Sequence, residues 1–454
     1  MAVATLDPVL DHLEKHWQAG IETLKEYCAQ PSVSAKGEGL TECADLCAEI
    51  MQRVGAATQI LPTDGAPVVY AEFPGDSDKT LLIYDHYDVQ PVEPLDEWDS
   101  PPFEPAVRDG KLFCRGCADN KGDTIARLTA IKAYLDTVGS LPCRIKWMIE
   151  GEEEVGSVNL EPHIEKYADL YAADACLWEA GGVDPEERPV AVLGAKGICS
   201  VELRCTTANT DLHSSWATLI PNPAWRLVWA LATLKGEDER CRIPGFYDRV
   251  QQPTAAELKA LEKIPFDTAY YMREYGLDRF LFDEPADKMR IRHLYQPTCT
   301  ICGLTTGYQG PGSKTVLPKT ASAKIDFRMA MDMDPKEVVQ QLGKHLDAHG
   351  FSDIAITPFG LEGPAKTPID DPWVGLCERV LREIYETNPI VMPTMAATGP
   401  MAPFRHILKV PIVSFGIGYP GSKGHAPNEN IRLNDFRRGA RAVARLIHEF
   451  AQSG

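Results

Sequence analysis

The chain has 454 residues, of which 44% are hydrophobic and 24% charged, which is the balance of an ordinary globular protein. Its 46 basic and 65 acidic residues give a net charge of −19, and no basic run could neutralise a row of phosphates, so we expect no nucleic-acid partner. No apolar run approaches the roughly 18 residues of a membrane helix, and no secretory signal is recognisable, so we predict a cytoplasmic protein without a membrane partner. The length exceeds what one hydrophobic core usually organises and predicts two domains.

The first 60 residues are predicted to be helical, most clearly over residues 40–54, where Gly55 is placed to end the helix. Its apolar residues recur at helical spacing: Leu40, Cys43, Ala44, Cys47, Ile50, Met51 and Val54. Apolar runs predict strands at 68–73, 80–84, 144–149, 175–178 and 411–417, and further helices are predicted at 121–136, 373–385 and 433–450. Strands that alternate with helices favour an α/β fold with a doubly wound, mostly parallel sheet.

A second domain is predicted where the pattern changes. Residues 198–206 and 321–328 alternate between apolar and polar side chains, which is typical of an antiparallel sheet with one face in water. We therefore expect an α+β domain at 198–362, inserted between the two parts of the first domain at 1–197 and 363–454.

Thirteen cysteines are present, an odd number and a small fraction of a long chain, and we expect them to be reduced thiols. Two CxxC pairs, Cys114 with Cys117 and Cys299 with Cys302, have the spacing of zinc knuckles and redox motifs. They lie about 180 residues apart, much farther than the halves of a zinc ribbon, which favours small buried side chains in strands and turns.

Acidic and imidazole side chains follow the predicted strands where each one ends. The sequence DHYD (85–88) follows one strand, EGEEE (150–154) the next, Glu179 a third, and a Gly-rich loop with His425 follows the last. Asp119 precedes a helix. Ligands in open α/β folds gather at the carboxyl ends of the strands, so these residues should meet in one crevice. Two imidazoles with several carboxylates suit zinc, manganese or cobalt better than magnesium or calcium.

Each of these motifs alone also fits a structural role, such as a hydrogen-bonded histidine or a solvated helix start. Their coincidence at strand ends favours the metal site. Three blocks, HYDVQP (86–91), GCADNKG (116–122) and EGEEEVGS (150–157), resemble the signature blocks of the two-metal aminopeptidase-like amidohydrolases. That family includes carnosinase, cytosolic dipeptidases, aminoacylase and succinyl-diaminopimelate desuccinylase. The residues of HYDVQP and of SPPFEP (100–105) are most similar to those of the cytosolic dipeptidase branch. The resemblance covers nearly the whole chain.

The resemblance implies a zinc-peptidase fold with an inserted lid and dimerisation domain, and two divalent metal ions per chain, with zinc favoured and manganese or cobalt as alternatives. It implies that His86 and Glu179 bind one metal, that Glu154 and His425 bind the other, and that Asp119 bridges both. Asp88 is implied to orient His86 by a hydrogen bond, and Glu153 to be the general base.

Three positions carry residues that differ from those usual in the family. Asn120 stands where the family has Asp, which keeps the shape and loses a charge, and Glu179 replaces an Asp while keeping a carboxylate. Asp85 stands where the family has Gly, and a further carboxylate there could raise metal affinity or obstruct the substrate.

The resemblance also implies the residues that contact the substrate. His213 is similar to a lid histidine that reaches the site of the partner subunit, which implies a homodimer formed through the lid. Arg328 is implied to bind the free carboxylate of the substrate, as a guanidinium fork can. Thr315, Thr398 and Gly399 are implied to line the same site.

We therefore predict metal-dependent hydrolysis of an amide bond beside a free carboxylate, by a dipeptidase or short-peptide carboxypeptidase. Two alternatives remain open. One is deacylation of N-acyl amino acids by the same site, because the metal-binding blocks do not identify the acyl group. The other is a catalytically silent homologue that binds a ligand, which the competent residue types at all five metal positions and at Glu153 disfavour.

Overall fold

The computed structural model describes residues 6–453. The helices are α1 (Asp7–Ala29), α2 (Leu40–Arg53), α3 (Lys121–Thr137), α4 (Leu160–Lys166), α5 (Ala168–Tyr171), α6 (Pro223–Leu234), α7 (Ala255–Leu261), α8 (Thr268–Tyr275), α9 (Ala286–Tyr295), α10 (Pro335–Ala348), α11 (Pro372–Tyr385), α12 (Met401–Pro403) and α13 (Leu433–Gln452). The strands are β1 (Ala57–Leu61), β2 (Val68–Phe73), β3 (Thr80–His86), β4 (Ala106–Arg108), β5 (Lys111–Phe113), β6 (Arg144–Glu150), β7 (Ala175–Trp178), β8 (Gly182–Val183), β9 (Pro189–Val192), β10 (Gly194–Ala195), β11 (Gly197–Thr206), β12 (Leu212–His213), β13 (Thr300–Thr306), β14 (Val316–Leu317), β15 (Thr320–Met329), β16 (Ala355–Glu362), β17 (Ala365–Lys366), β18 (Ile390–Met392), β19 (Ile412–Ser414) and β20 (Asn430–Arg432).

The larger sheet has nine strands in the order β1-β2-β6-β3-β7-β19-β9-β18, and β8 pairs with β9. Its four central strands, β6, β3, β7 and β19, are mutually parallel. Parallel strands need helical crossovers, and these cover both faces of the sheet. The predicted α/β fold with a doubly wound, mostly parallel sheet is confirmed at its centre, while β1 and β2 add an antiparallel edge.

Strand β3 shows why the sheet is buried on both faces. Leu81 and Ile83 lie in a core formed with helices α1, α2, α3, α11 and α13, whereas Leu82 and Tyr84 lie in a second core with α4, α5 and α12. Successive side chains of a strand point to opposite faces, so a continuous apolar run serves two cores. This run places the residues that follow it, from Asp85 onward, at the carboxyl edge of the sheet.

The second sheet is antiparallel, with the order β13-β15-β11-β16, and all of its strands lie between residues 197 and 362. The inward residues of β11 include Val201, Leu203 and Cys205, which pack with side chains of α6 and α10. The alternation predicted for 198–206 and 321–328 therefore corresponds to one buried face and one more open face.

One strand is shorter than predicted. The apolar run 411–417 predicts a seven-residue strand, but β19 ends at Ser414. Beyond it the backbone binds side chains of α3: the carbonyl of Phe415 accepts from Arg127, and the amide of Ile417 donates to Asp123. These side chains replace the strand partners that would have continued the ladder.

The thirteen cysteines are all unpaired, and Cys302 is the only exposed one among them. Cys114 and Cys117 belong to the core beside α1 and α3, while Cys299 belongs to the core of the smaller sheet. Within residues 6–453, no helix is both long enough and apolar enough to cross a bilayer.

Candidate metal centre

The candidate site lies at the carboxyl edge of the larger sheet. His86 is the last residue of β3, Glu150 the last residue of β6, and Glu179 follows β7 directly. Since β3, β6 and β7 are parallel, these ends meet at one edge of the sheet. Asp119 precedes α3, and His425 lies in the loop after β19, so five separated segments contribute to this edge.

The first group of side chains surrounds His86, which is fully buried. Its Nε2 lies 3.1 Å from Asp119 Oδ1 and 3.2 Å from Glu179 Oε2. The second group surrounds His425, whose Nε2 lies 3.0 Å from Asp119 Oδ2 and 3.0 Å from Glu154 Oε2. The two carboxylate oxygens of Asp119 thus face different imidazoles, which is the arrangement that a bridging ligand requires.

The donor set suits divalent cations. Ligand atoms of His86, Asp119 and Glu154 lie within 4.8 Å of one another, so the two groups converge around Asp119. Two buried carboxylate oxygens, Glu154 Oε1 and Glu179 Oε2, accept no hydrogen bond among the described residues, although Glu179 Oε2 lies 3.2 Å from His86 Nε2. Buried carboxylate oxygens are costly unless they are bonded or bind a metal, so these orphaned atoms fit metal ligands.

The pKa values of residues in both groups indicate that carboxylates outnumber positive charges at this edge of the sheet. Hydrogen bonds that the imidazole of His425 donates to Asp119 and Glu154 raise its pKa to about 10. Burial disfavours the charged form of His86, but the nearby carboxylates, Glu179 foremost, outweigh it and raise the pKa well above its usual value. Burial likewise raises the pKa of Glu179. Protons held by these imidazoles occupy positions that a divalent cation would take.

Asp88 contacts residues of both groups. His86 Nδ1 lies 3.0 Å from the carbonyl oxygen of Asp88 and 3.3 Å from its Oδ1. The Asp88 carboxylate also accepts hydrogen bonds from the backbone amides of Glu153 (3.2 Å) and Glu154 (3.0 Å). Asp88 therefore holds the imidazole of His86 through its carbonyl oxygen, and its buried carboxylate holds the loop that carries two glutamates.

Glu153 lies beside these groups without joining either of them. Burial raises its pKa to about 8, opposed by the charge of His86 and reinforced by those of Asp119 and Glu154. In the part of the chain that the structure describes, no group donates a hydrogen bond to its carboxylate. A carboxylate with a raised pKa at a metal site can take up a proton near neutral pH.

The predicted substrate contacts form two further groups. Arg328 Nη1, from β15, donates a hydrogen bond to Thr398 Oγ1 at 2.7 Å, which joins the smaller sheet to the loop before α12. A Cβ atom placed on Gly399 would lie 3.7 Å from the ring of Trp178, the residue before Glu179. Arg328, Thr398 and Gly399 therefore form one group that contacts the strand preceding Glu179.

His213 and Thr315 form the other group. His213 pairs with Val316 across β12 and β14, and the amide of Ser214 donates to the carbonyl of Thr315 at 3.0 Å. His213 is exposed, and its Nδ1 lies 2.9 Å from Ser215 Oγ. Among residues 6–453, its side chain makes no hydrogen bond to the metal centre of the same chain.

A comparison with models of protein families identifies the family to which the chain belongs. The model of peptidase family M20/M25/M40 matches residues 82–449, which include both candidate metal groups and the smaller sheet. The chain belongs to this family. The predicted relationship and the predicted enzyme class, a metal-dependent peptide hydrolase, are thereby confirmed.

Individual M20 peptidases are similar over nearly the whole chain. A crystal structure of an M20 family metallo-carboxypeptidase, Sso-CP2 from Sulfolobus solfataricus, is 39% identical, with a TM-score of 0.92, over 96% of this chain and 99% of that one. Human Beta-Ala-His dipeptidase is 29% identical over 99% of this chain and 93% of its own length. The Cys-Gly metallodipeptidase dug1 of Schizosaccharomyces pombe is 26% identical, covering 98% of each chain.

Glu429 is a buried residue of this M20 peptidase that sequence reasoning missed. Its carboxylate accepts hydrogen bonds from the backbone amides of Gly116 (3.0 Å), Ala118 (2.8 Å) and Asp119 (3.0 Å), and from Arg115 (2.6 Å). It therefore holds the loop that carries Asp119. Glu429 follows no apolar strand and lies in no motif that could have indicated this contact.

Gln90 is a second residue that was missed. Its Nε2 donates to Glu154 Oε2 at 2.7 Å, the same oxygen that faces His425. Gln90 belongs to the HYDVQP block, so its position in the motif was the available signal.

The structure resolves the question posed by Asp85. Its side chain points away from the metal centre and is fully buried, where Oδ1 accepts from Arg127 (2.8 Å) and Oδ2 accepts from Trp147 (2.9 Å). Burial raises the pKa of Asp85 to about 6, although Arg127 opposes the shift. Arg127 also donates to backbone carbonyls at the ends of three strands, those of Tyr84, Trp178 and Phe415. The pair thus ties together the strand ends that carry the site.

Asn120 also faces the protein interior. Its Oδ1 lies 3.4 Å from the backbone amide of His86, which donates to it, and its Nδ2 lies 3.5 Å from Asp123 Oδ2. An amide can accept from one neighbour and donate to the other, which an ionised carboxylate could not do.

Replacing Arg127 by Met is expected to lower the free energy of unfolding by about 3–5 kcal/mol, because Asp85 would remain buried without its cation. Guanidinium-induced unfolding of the metal-loaded protein measures this loss. The matched control is Arg144→Met, because Arg144 is half exposed and lies 3.4 Å from Glu72 at the surface. Unfolding of both variants at the wild-type midpoint would contradict a structural role for the buried pair.

Proposed function

We propose that this M20 peptidase binds two divalent cations, zinc in preference to manganese or cobalt, and hydrolyses the amide bond beside the free carboxylate of a dipeptide or short peptide. The observation that carries the proposal is the position of Asp119 between two histidine and carboxylate groups. In this proposal His86 and Glu179 hold one cation, Glu154 and His425 hold the other, and Asp119 contacts both.

The bound cations would supply Lewis acidity, which polarises the carbonyl of the substrate and makes water acidic enough to act as a nucleophile near neutral pH. Glu153 takes the proton of the attacking water and later returns it to the departing amine. Both steps need a carboxylate that is charged before attack and neutral afterwards, and the burial that raises the pKa of Glu153 favours its uptake of the proton. Asp88 keeps the imidazole of His86 and the Glu153 loop in place.

Arg328 and Thr398 are proposed to hold the free carboxylate of the substrate. Among the described residues, the guanidinium of Arg328 donates one hydrogen bond, to Thr398, and lies 3.5 Å from Asp326, so its fork retains donors for an anion. Lys196 adds positive charge nearby: burial lowers its pKa to about 8, and the charge of Arg328 contributes to the shift. Gly399 and Thr315 are proposed to border the same space.

A homodimer formed through the smaller sheet is part of the proposal. Three tryptophans of this region are about half exposed: Trp216, Trp225 and Trp229. The edge strand β13 also exposes Ile301 and Leu304 and has a free side in the sheet. An unpaired strand edge and exposed aromatic rings in the same part of the chain favour association with a second copy. His213 would then reach the site of the partner subunit and stabilise the oxyanion.

We further propose that the chain divides into a catalytic domain of residues 1–197 and 363–454 and a lid and dimerisation domain of residues 198–362. The separate core of the smaller sheet supports this division. A cytoplasmic location is proposed as well, and the thirteen unpaired thiols support it.

His213→Ala is expected to lower kcat by about 10²–10³-fold without loss of metal, because one oxyanion donor is removed. Mixing this variant with Glu153→Gln tests the origin of the histidine. A heterodimer regains one complete site if His213 acts on the partner subunit, since the His213→Ala chain keeps its own Glu153. No recovery of activity in heterodimers, or normal turnover by His213→Ala alone, would contradict the proposal.

The decisive experiment is metal content per chain together with hydrolysis of dipeptides, the same dipeptides with an amidated carboxyl terminus, and N-acetyl amino acids. The proposal predicts two metals and activity on free dipeptides that amidation abolishes. Two metals with activity on N-acetyl amino acids alone would replace it by the deacylase alternative, and two metals with binding but no hydrolysis by the silent homologue. Absence of metal under metal-replete conditions would contradict the site itself.

A further inference from the structure

A large cavity lies between the edge of the nine-stranded sheet and the segment that leads into β13. Its volume is about 860 Å³, within the range of small-molecule sites. Ile390 and Met392 of β18 and Val190 of β9 form the wall on the side of the sheet. The opposite wall belongs to residues of α8, α9 and the loop between them, together with Tyr247 and the segment 264–266.

Aromatic side chains dominate the wall opposite the sheet. Six of them line the cavity: Tyr247, Phe266, Tyr271, Tyr275, Phe280 and Phe282. Phe266 and Tyr275 each pack against the ring of Tyr271, with centroids 5.4 Å and 5.9 Å away. Packed rings of this kind form a stable apolar surface that favours an aromatic or bulky aliphatic guest.

Several cations of the cavity wall are already bound to protein acceptors. Lys196 Nζ donates to the carbonyls of His293 (2.6 Å) and Gln296 (2.7 Å), and Arg292 Nε donates to Glu284 at 2.9 Å. Arg290 Nη1 donates to the carbonyl of Ile264 at 2.5 Å. These bonds occupy donors of all three cations, although Arg290 Nε has no partner among the described residues, and the aromatic and aliphatic surfaces remain available to a guest.

The cavity is continuous with the proposed carboxylate site. Arg328 and Ala396 both line it, and Arg328 donates to Thr398, two residues beyond Ala396. Thr398 precedes Gly399, which approaches the ring of Trp178 beside Glu179. The guanidinium thus lies between the cavity and Thr398, so the cavity adjoins the proposed carboxylate site.

We propose that this cavity receives the side chain of the carboxyl-terminal residue of the substrate and selects bulky aromatic or aliphatic residues at that position. The inference rests on the proposed function, because it takes Arg328 as the group that holds the adjacent carboxylate. With the carboxylate fixed at Arg328, the side chain on the same α-carbon enters the aromatic cavity and leaves water. Each buried methylene improves kcat/KM by about tenfold or more in a well-fitting pocket.

The test compares hydrolysis of Ala-Gly, Ala-Leu, Ala-Phe and Ala-Trp by wild type and two cavity variants. Wild type is expected to prefer Ala-Phe over Ala-Gly by at least about tenfold in kcat/KM. Phe280→Ala removes part of the aromatic wall, and Met392→Trp fills the space from the side of the sheet. Both should lower kcat/KM for Ala-Phe about fivefold or more and leave Ala-Gly within about twofold.

Phe359→Ala is the matched control, because Phe359 is an exposed aromatic residue of β16 that does not line the cavity. It should leave the substrate preference unchanged. Metal content and thermal unfolding of each variant identify any that fail to fold. Equal kcat/KM for Ala-Gly and Ala-Phe in wild type, or equal effects of the variants on both, would overturn the cavity proposal while the dipeptidase proposal stands.

Calorimetric titration of the metal-loaded protein with L-phenylalanine and with glycine is a second test. It measures binding affinity and does not depend on hydrolysis. Tighter binding of L-phenylalanine, weakened in Phe280→Ala and unchanged in Phe359→Ala, supports the cavity proposal even if no dipeptide is hydrolysed. Failure of the proposed function is therefore distinguishable from failure of the cavity to select its guest. Equal binding of the two amino acids would overturn the cavity proposal.

Discussion

Glu153→Gln is expected to lower kcat by about 10²–10⁴-fold, the usual contribution of a general base. Glutamine keeps the shape of the side chain and loses the capacity to take a proton. Glu153 lies beside the proposed cation ligands but is not one of them. Both metals should therefore remain bound in the variant. The measurement is single-turnover hydrolysis of a dipeptide beside metal content per chain on the same preparation.

The matched control is Glu152→Gln, one residue earlier in the same acidic run. The Glu152 carboxylate accepts a hydrogen bond from Asn159 at 2.8 Å and takes no part in either histidine group. Its neutralisation should change kcat by less than about twofold, the effect of a surface substitution. If Glu153→Gln retained wild-type kcat with both metals bound, the proton transfer would have to be assigned to another group. Loss of metal in Glu153→Gln would instead identify Glu153 as a ligand.

Asp119→Ala is expected to weaken binding at both cation sites together, because its two oxygens face different groups. Outer hydrogen-bonding partners of metal ligands typically contribute about 10–100-fold to affinity, and a shared ligand should contribute more at each site. Metal content should fall from two per chain to below one, and hydrolysis should fall below detection. Equilibrium dialysis against zinc, with plasma emission spectroscopy of the protein, measures both affinities.

Stability gives an independent reading of the same variant. A cation at about 1,000 times its dissociation constant stabilises the folded state by about 4 kcal/mol, and a chelator removes this contribution. Chelation should therefore lower the melting temperature of wild type and leave that of Asp119→Ala nearly unchanged. Asp96→Ala, which alters an exposed aspartate outside the site, should respond to the chelator as wild type does. Loss of one metal with retention of the other in Asp119→Ala would contradict the bridging role.

The sequence predicted the main features of the fold because its signals are local. Helix α2 has buried residues at the predicted offsets, including Cys43, Cys47 and Met51, because helical periodicity alone places them on one face. Strands β2, β3, β6 and β7 begin at the predicted residues, since continuous apolar runs define them. The edge strand β1 was not predicted, because most of its side chains are exposed and it lacks an apolar run.

The candidate ligands were predictable because strand ends are visible in sequence and a parallel sheet brings such ends together. His86, Asp119, Glu154, Glu179 and His425 lie together in the structure, and their role as ligands stays a prediction. The two carboxylate oxygens of Asp119 face different imidazoles because of the orientation of this one side chain. No sequence pattern specifies that orientation.

The sequence by itself determined the alternating order of strands and helices, the apolar faces and the residue types available at the strand ends, because each depends on local spacing. The tertiary structure decided which polar residues face the metal centre and which face the interior. Asp85 and His86 are neighbours in sequence, yet one binds Arg127 in the core and the other faces Asp119. Successive strand residues point to opposite faces, and only the packing of α3 against the sheet places a guanidinium under one of them.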